Sequence, residues 1–520
     1  MATTFLPSRA DRRRKDLAYR EQLRIVLLFL AVPATLGLAL LVANGEPLPL
    51  PDLRISALTT VVFCLVAIAL VLYVHKLHLL SFPSLFLAVT FLFTCSPLIL
   101  YLLQGERAFR LWEVVDYPAV LAAMPVIMLA FSSFLLGAVL IHVRLPADAP
   151  AATEEEGRPP SPSATTRVLR GVGFGLYGVG FLFVAYSTIS GGTLSYALSG
   201  GYAAYHEAKR SGAIVGFVGV FMAHLLPWSL LILTATARDR RSRALVLVLA
   251  APFVLVMLAV GDRGGPIATM AIVASGLYLV GARIGLGKSL AVGLLIAFLI
   301  PTILNLRQLP ISEWTGTAIG SAATNQVDVT NTYGEGPITG FFTSMSSPYQ
   351  TLMATVAQVP QHEDYHHGSD YLSSMVVAIP FRSVLFPFFG AEVNRLPPSQ
   401  WVLLLLHPGR NAGPGYLQVA EGYLQFGAVG VIGLYLLFGW LLIRLWGAMT
   451  RRVHDPRVLA FTLIVMMETL LWVRNSSSSV VRAIAWGAVL VFVVPAVLTV
   501  RRWRRSEQPT PPGPITVLHR

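Results

Sequence analysis

The chain has 520 residues, of which 55% are hydrophobic and only 12% charged, with a mean hydropathy of +0.66 and a formal net charge of +13. A soluble domain averages about 25% charged residues, so this composition excludes a soluble protein and implies an all-α polytopic membrane protein. The positive charge clusters at the ends of apolar runs, where anionic lipid headgroups account for it; this excludes nucleic acid as a partner and leaves the bilayer.

Residues 1–24 form a basic N-terminus carrying Arg12, Arg13, Arg14 and Lys15. Apolar runs long enough for a hydrocarbon core of about 30 Å then follow near 25–43, 55–74, 79–103, 118–143, 168–190, 212–236, 244–260, 266–282 and 289–305. The first reads as a signal anchor, because further spans follow it. Cys64 and Cys95 fall inside the second and third runs and define neither a disulfide framework nor a metal site. A polar, proline-rich linker at 144–167 separates the fourth and fifth runs, and an amphiphilic segment, 191–211, is expected to lie along the membrane surface. Residues 306–413 form one long non-membrane loop, rich in aromatics and proline, with Arg307, Arg382, Arg395 and Arg410 and no lysine. Within it, 349–359 and 371–377 are expected to be short helices, and 379–389 is apolar enough to dip into the membrane. Runs at 416–443, 458–473 and 480–500 complete about twelve transmembrane helices, and 501–520 form a polar tail. Most of the 39 Lys and Arg residues lie on the side of the N-terminus, so both termini are expected in the cytoplasm and the long loop outside.

Gly173-Phe-Gly175-Leu-Tyr-Gly178 spells a dinucleotide fingerprint but lies inside a span with no preceding strand, where small residues serve close helix packing. Gly285-Leu-Gly-Lys288-Ser289 lacks the first glycine of a phosphate-binding loop. His362-Glu363-Asp364-Tyr365-His366 satisfies H-E-x-x-H, which on a helix binds zinc. Pro360 and Gly368 leave barely two helical turns around it, so a solvated polar turn is the expected structure and no metal is assigned.

Membrane-edge charges carry more information. Asp262 and Arg263 sit in the short turn Gly261–Gly265, and an arginine at depth costs roughly 2.5–3.5 kcal/mol. Arg474 and Arg482 flank the serine run 476–479, and Arg382 and Arg410 lie in apolar, proline-flanked surroundings. The guanidinium fork matches phosphate oxygens bidentately where an ammonium cannot. Such a cluster suits a lipid-linked pyrophosphate. Glu421, at the opening of the 416–443 run, is placed to pair with an arginine or to act as a general base. Glu468 is expected nearer the middle of its span, in a packing role or an interior ion pair.

Ala420-Glu-Gly-Tyr-Leu-Gln-Phe-Gly-Ala-Val-Gly430 resembles a signature of the bacterial O-antigen and oligosaccharide repeat-unit polymerases of the Wzy type. Gly368-Ser-Asp-Tyr371-Leu…Ile379-Pro380, Gly261-Asp-Arg263 and Arg474-Asn-Ser resemble further short segments of that family. The apolar stretch Pro397–His407 departs from the pattern. The resemblance implies a GT-C-like, metal-independent glycosyltransferase of the bacterial inner membrane, without a cofactor. Its substrate would be an undecaprenyl-pyrophosphate-linked oligosaccharide, and a chain-length regulator is a possible partner. It places Arg263, Arg382, Arg410 and Arg474 on pyrophosphate. Glu421, with Asp262 or His407 as the next choice, becomes the base or its orienter, Tyr371 and Tyr423 contact substrate, and the loop's tyrosines and tryptophans stack on sugar faces. A ligase of similar architecture would share these features. A lipid-linked oligosaccharide flippase would instead call for internal repeats, and the sequence has none that is convincing.

Overall fold

The structure, a computed structural model, describes residues 9–105, 108, 117–141, 163–190, 217–259, 264–282, 285, 287, 291, 302, 337–377, 398–406 and 415–499. Every regular element among them is helical. The long helices are α1 (Arg9–Ala43), α2 (Leu53–His75), α3 (Phe82–Gln104), α4 (Tyr117–Leu140), α5 (Ala164–Ser190), α6 (Phe217–Thr236), α7 (Arg240–Ala259) and α8 (Gly264–Leu279). Within the loop come α9 (Pro337–Ser346), α10 (Tyr349–Gln358), α11 (Ser369–Val377) and α12 (Pro398–Leu406). The chain then returns through α13 (Gln418–Arg451), α14 (Pro456–Trp472) and α15 (Ser478–Ala488), the last continuing through a π turn at Val489–Val493.

Eight of the described helices, namely α1–α5, α7, α13 and α15, are long and apolar enough to cross a bilayer. Shorter apolar stretches lie at His224–Thr236 and Gly264–Leu279. Each apolar run read from the sequence falls on one of these helices or on α14, except 289–305, which lies outside the described residues apart from positions 291 and 302. Helices form here because lipid offers no partner for backbone groups, so every amide must bond within its own segment. The chain is an all-α polytopic membrane protein.

α4 is the axis of the bundle, with 83% of its apolar stretch buried. Its contact with α13 is backbone on backbone: a Cβ added to Gly137 would lie 2.1 Å from the Leu436 carbonyl oxygen, and one on Gly439 would lie 2.1 Å from that of Phe134. Small residues at such crossings are what lets transmembrane helices approach without a hydrophobic driving force. At the bundle end away from α9–α12, basic side chains cap helix termini. Arg243 donates to the Val280 and Gly281 carbonyls at 2.7 and 3.1 Å, and Arg170 donates to Thr236 at 2.8 Å. These arginines bond carbonyls just past the end of α8 and at the end of α6, where the Thr236 carbonyl also accepts the Arg238 amide at 3.1 Å.

One expectation is corrected. The 416–443 run is not a single straight span, because α13 is broken at Phe426 (φ −147°, ψ 23°) and Gly427 (φ 60°, ψ −139°). A Cβ on Gly430 would fall 2.0 Å from the Gly422 carbonyl oxygen, although eight residues of straight helix rise about 12 Å. The segment 418–425 is therefore folded back on the helix that follows, and the crossing proper begins after Gly427. Glu468, four residues before the end of α14, is buried within the bundle beside His224, the interior pairing expected of it.

Candidate functional site

At the loop-bearing end three stretches far apart in sequence meet: the 361–377 turn and helix α11, the folded-back segment 415–427, and the α14–α15 turn at 472–478. The first two are joined by backbone pairing, with the His366 and His367 amides donating to the Leu424 and Gln425 carbonyls at 3.0 Å each. Gln425, fully buried, accepts the Gly368 amide at 2.9 Å and donates through its own amide to the Asp370 carboxylate. The second and third are joined by the Tyr416 and Gln418 amides, which donate to the Arg474 and Val473 carbonyls at 2.7 and 3.2 Å. Gly415 has φ +93°, and an added Cβ would lie 2.8 Å from both the Arg474 Cγ and its carbonyl oxygen. Only glycine permits that approach.

Two buried carboxylates sit at this junction. Glu421 is fully enclosed; its Oε2 accepts the Trp472 indole N–H at 2.6 Å and its Oε1 accepts the Ser477 amide at 3.4 Å. A buried carboxylate is tolerated only with such donors. Asp370 accepts from His366 Nδ1 at 2.7 Å, and His366 Nε2 faces Glu363 Oε1 at 3.4 Å. Burial alone would lower the His366 pKa; the hydrogen bond and charge of Asp370, backed by Glu363, outweigh it and raise the pKa above its ordinary value. As an imidazolium, His366 donates to both carboxylates. Burial, with the nearby charges of Glu421 and Asp370, pushes the Tyr371 phenol far above its ordinary range, so it is neutral.

Glu421, Arg474 and Tyr371 are brought together. The Tyr371 ring meets Trp472 edge-on at 6.5 Å, and the Arg474 guanidinium lies over the Phe93 ring at 5.7 Å. Tyr423 shares the region but faces inward: it is 2% exposed, and its hydroxyl donates to the Val359 carbonyl at 3.3 Å. Asp262, Arg263, Arg382, His407 and Arg410 lie outside the described residues, as do 191–211 and 379–389. The residue after Arg263, Gly264, opens α8, and Thr269 on that helix donates to the Met467 sulfur of α14 at 3.3 Å.

The H-E-x-x-H string takes a different shape from a helical zinc motif. Residues 362–366 lie in the turns between α10 and α11, so the two histidines do not share a helix face, and His366 is committed to Asp370 and Glu363. Sequence reasoning gives no role to Asp370, Gln425 or Trp472, and reaches Trp401 only as one of the loop tryptophans expected to stack on sugar. The available signal was Asp370 within Gly368-Ser-Asp-Tyr371, four residues after a histidine. Lower on α14, Glu468 accepts the Trp228 indole N–H at 3.1 Å and lies 3.7 Å from His224 Nε2, tying α14 to α6.

The sequence matches the family model "O-antigen polysaccharide polymerase Wzy" over residues 25–507, nearly its whole length. The chain belongs to that family. No curated protein and no solved structure matches it. Members of the Wzy family polymerise lipid-linked repeat units in the membrane. In this Wzy-family chain the strings Gly368–Tyr371, Ala420–Gly430 and Arg474–Ser476 occupy the junction just described.

Proposed function

We propose that this Wzy-family protein transfers a growing glycan from undecaprenyl pyrophosphate to the incoming lipid-linked repeat unit at the external face of the membrane, without a metal. The observation that carries the reading is the convergence of the three strings through Gln425–Asp370, Glu421–Ser477 and Tyr416–Arg474. In the transfer an acceptor hydroxyl oxygen bonds to the anomeric carbon of the growing chain's first sugar. The bond from that carbon to pyrophosphate breaks, and the leaving oxygen takes the electron pair. Arg474, with Arg263, Arg382 and Arg410 joining it, would stabilise the charge that develops there.

Both Glu421 oxygens are occupied by donors from the 472–477 turn, which supports a role in orienting that turn and the Arg474 it carries. Asp262 and His407 are then the candidates for the base that takes the hydroxyl proton. Tyr371, neutral and beside Trp472, is suited to donating to a sugar hydroxyl. The test is chain lengthening by purified protein in proteoliposomes supplied with lipid-pyrophosphate oligosaccharide and a chelator. Lengthening that is abolished by Arg263→Ala and Arg410→Ala supports the reading; normal polymerisation by both variants sinks the arginine mechanism.

A further inference from the structure

The turn between α10 and α11 and the facing helix α12 carry a group of polar planar side chains that extends outward from the Gln425–Asp370 tie. Glu363 is the centre of the group. Its side chain is 42% exposed, whereas His366 and Asp370 beneath it are 3% and 4% exposed. The Trp401 indole N–H donates to Glu363 Oε2 at 2.8 Å while His366 Nε2 faces Oε1 at 3.4 Å. His366 in turn is fixed by Asp370, and Asp370 by Gln425 of the folded-back segment. Trp401 and His366 meet edge to face at 6.2 Å, so the indole is fixed by the same network.

A buried ionic network is a poor way to stabilise a loop, since apolar side chains of similar volume serve as well or better. What this one achieves is preorganisation: a solvent-reachable carboxylate beside a half-buried indole, neither of which needs to be ordered when a ligand arrives. Each Glu363 oxygen keeps a further lone pair beside the one facing Trp401 or His366 and, unlike those of enclosed Glu421, is open to solvent for a hydroxyl donor; an indole offers an apolar face to the C–H side of a pyranose ring. Phosphate would be repelled by Glu363, and an apolar chain would strand it unpaired.

We propose that Glu363 and Trp401, held by His366, Asp370 and Gln425, form a saccharide subsite. It binds a pyranose ring of the lipid-linked repeat unit through two hydroxyls on Glu363 and ring stacking on Trp401. This rests on the polymerase reading above and adds to it a binding position on the loop, apart from the arginines assigned to pyrophosphate.

The test uses full-length protein in proteoliposomes with the cell's own lipid-linked repeat unit, and measures initial rates against its concentration. Glu363→Gln keeps an oxygen for Trp401, and Trp401→Phe keeps the ring, so both preserve the shape of the turn. The subsite predicts KM raised about tenfold or more in Glu363→Gln, as for loss of a hydrogen bond to a charged group, and raised in Trp401→Phe, which offers a smaller stacking face and no longer holds Glu363 Oε2, with kcat within about twofold in both. Leu404→Ala, on the exposed face of the same helix, should leave KM unchanged. Wild-type KM in both loop variants, or a fall in kcat alone, overturns the subsite and leaves the polymerase reading standing. If the wild type lengthens no chain, the polymerase reading falls instead. The subsite is then decided by saturation-transfer NMR of the delipidated oligosaccharide on protein in nanodiscs. Transfer to sugar protons that is lost in Trp401→Ala and kept in Leu404→Ala supports it; equal transfer in wild type and Trp401→Ala overturns it.

Discussion

The Glu421 carboxylate accepts the Trp472 indole N–H at 2.6 Å, with Glu421 fully enclosed and Trp472 only 8% exposed. Truncating the donor strands a buried acceptor, so Trp472→Phe should cost about 1–3 kcal/mol, read as a lowered unfolding temperature in detergent. Glu421→Gln separates the two roles of the acid. The amide keeps the volume and one acceptor oxygen, so an orienting residue retains measurable polymerisation in that variant and loses it in Glu421→Ala. A base loses it equally in both. Equal loss would move the proton-accepting role back to Glu421.

The fold-back at Phe426–Gly427 predicts a graded response across neighbouring glycines. Gly427→Ala would strain a backbone region that is essentially glycine-only, at roughly 1–3 kcal/mol, and would bring its Cβ to 2.7 Å from the Tyr365 hydroxyl. Gly430→Ala meets the Gly422 carbonyl at 2.0 Å and should cost about 3 kcal/mol or more, because backbone cannot yield as a side chain does. Gly433→Ala has nothing within 4 Å and should be neutral. If all three unfold at the same temperature, the segment 418–425 is not folded back.

Most of the bundle is legible in the sequence because hydropathy reports burial in lipid residue by residue, and the apolar runs end where helices such as α2 and α14 find caps. Asp52 accepts the Ile55 amide at 2.7 Å, and Asp455 that of Arg457 at 3.0 Å. The break in α13 is invisible to the same reading. Residues 417–443 are apolar or small apart from Gln418, Glu421 and Gln425, and composition carries no φ angle. Its trace is the spacing of Gly422, Gly427 and Gly430, each of which the fold-back needs for a different reason. The carboxylates at the junction were unequal in visibility. Glu421 stood out as an acid within an apolar string, whereas Asp370 sat in a polar stretch where acids are unremarked, and its meaning depends on Gln425, 55 residues away in sequence.

His366 predicts a pH dependence with a definite sign. Its folded pKa is raised by Asp370 and Glu363 against the opposing effect of burial, so folding favours the imidazolium. That contribution is fully present below the ordinary histidine value of about 6.5. It is lost as pH climbs through the higher folded value. The unfolding temperature of the wild type should therefore fall across that window relative to His366→Gln, which cannot titrate. Asp370 and Glu363 are the charged groups facing the ring, with Gln425 and Trp401 as the neutral neighbours of those carboxylates. A wild-type curve parallel to that of His366→Gln from pH 6 to 9 would show that the ring is not charged in the fold.

Arg474 is held by a contact that can be perturbed without touching its charge. A Cβ added to Gly415, where φ is +93°, would lie 2.8 Å from both the Arg474 carbonyl oxygen and its Cγ, and the Tyr416 amide bonds the Arg474 carbonyl. Gly415→Ala should displace the guanidinium by a few tenths of an ångström or more, and misplacement of about 1 Å can cost roughly 10²-fold in rate. The expected outcome is a fall in kcat for chain lengthening that is larger than its effect on KM. Arg474→Lys, which keeps charge but not the fork, should fall in the same direction, and Arg474→Ala furthest. If Gly415→Ala unfolds the protein, Arg474→Lys carries the test alone. Wild-type kcat in Arg474→Lys would then remove Arg474 from the pyrophosphate contacts, leaving the Gly415 contact as a purely structural tie between α13 and α14.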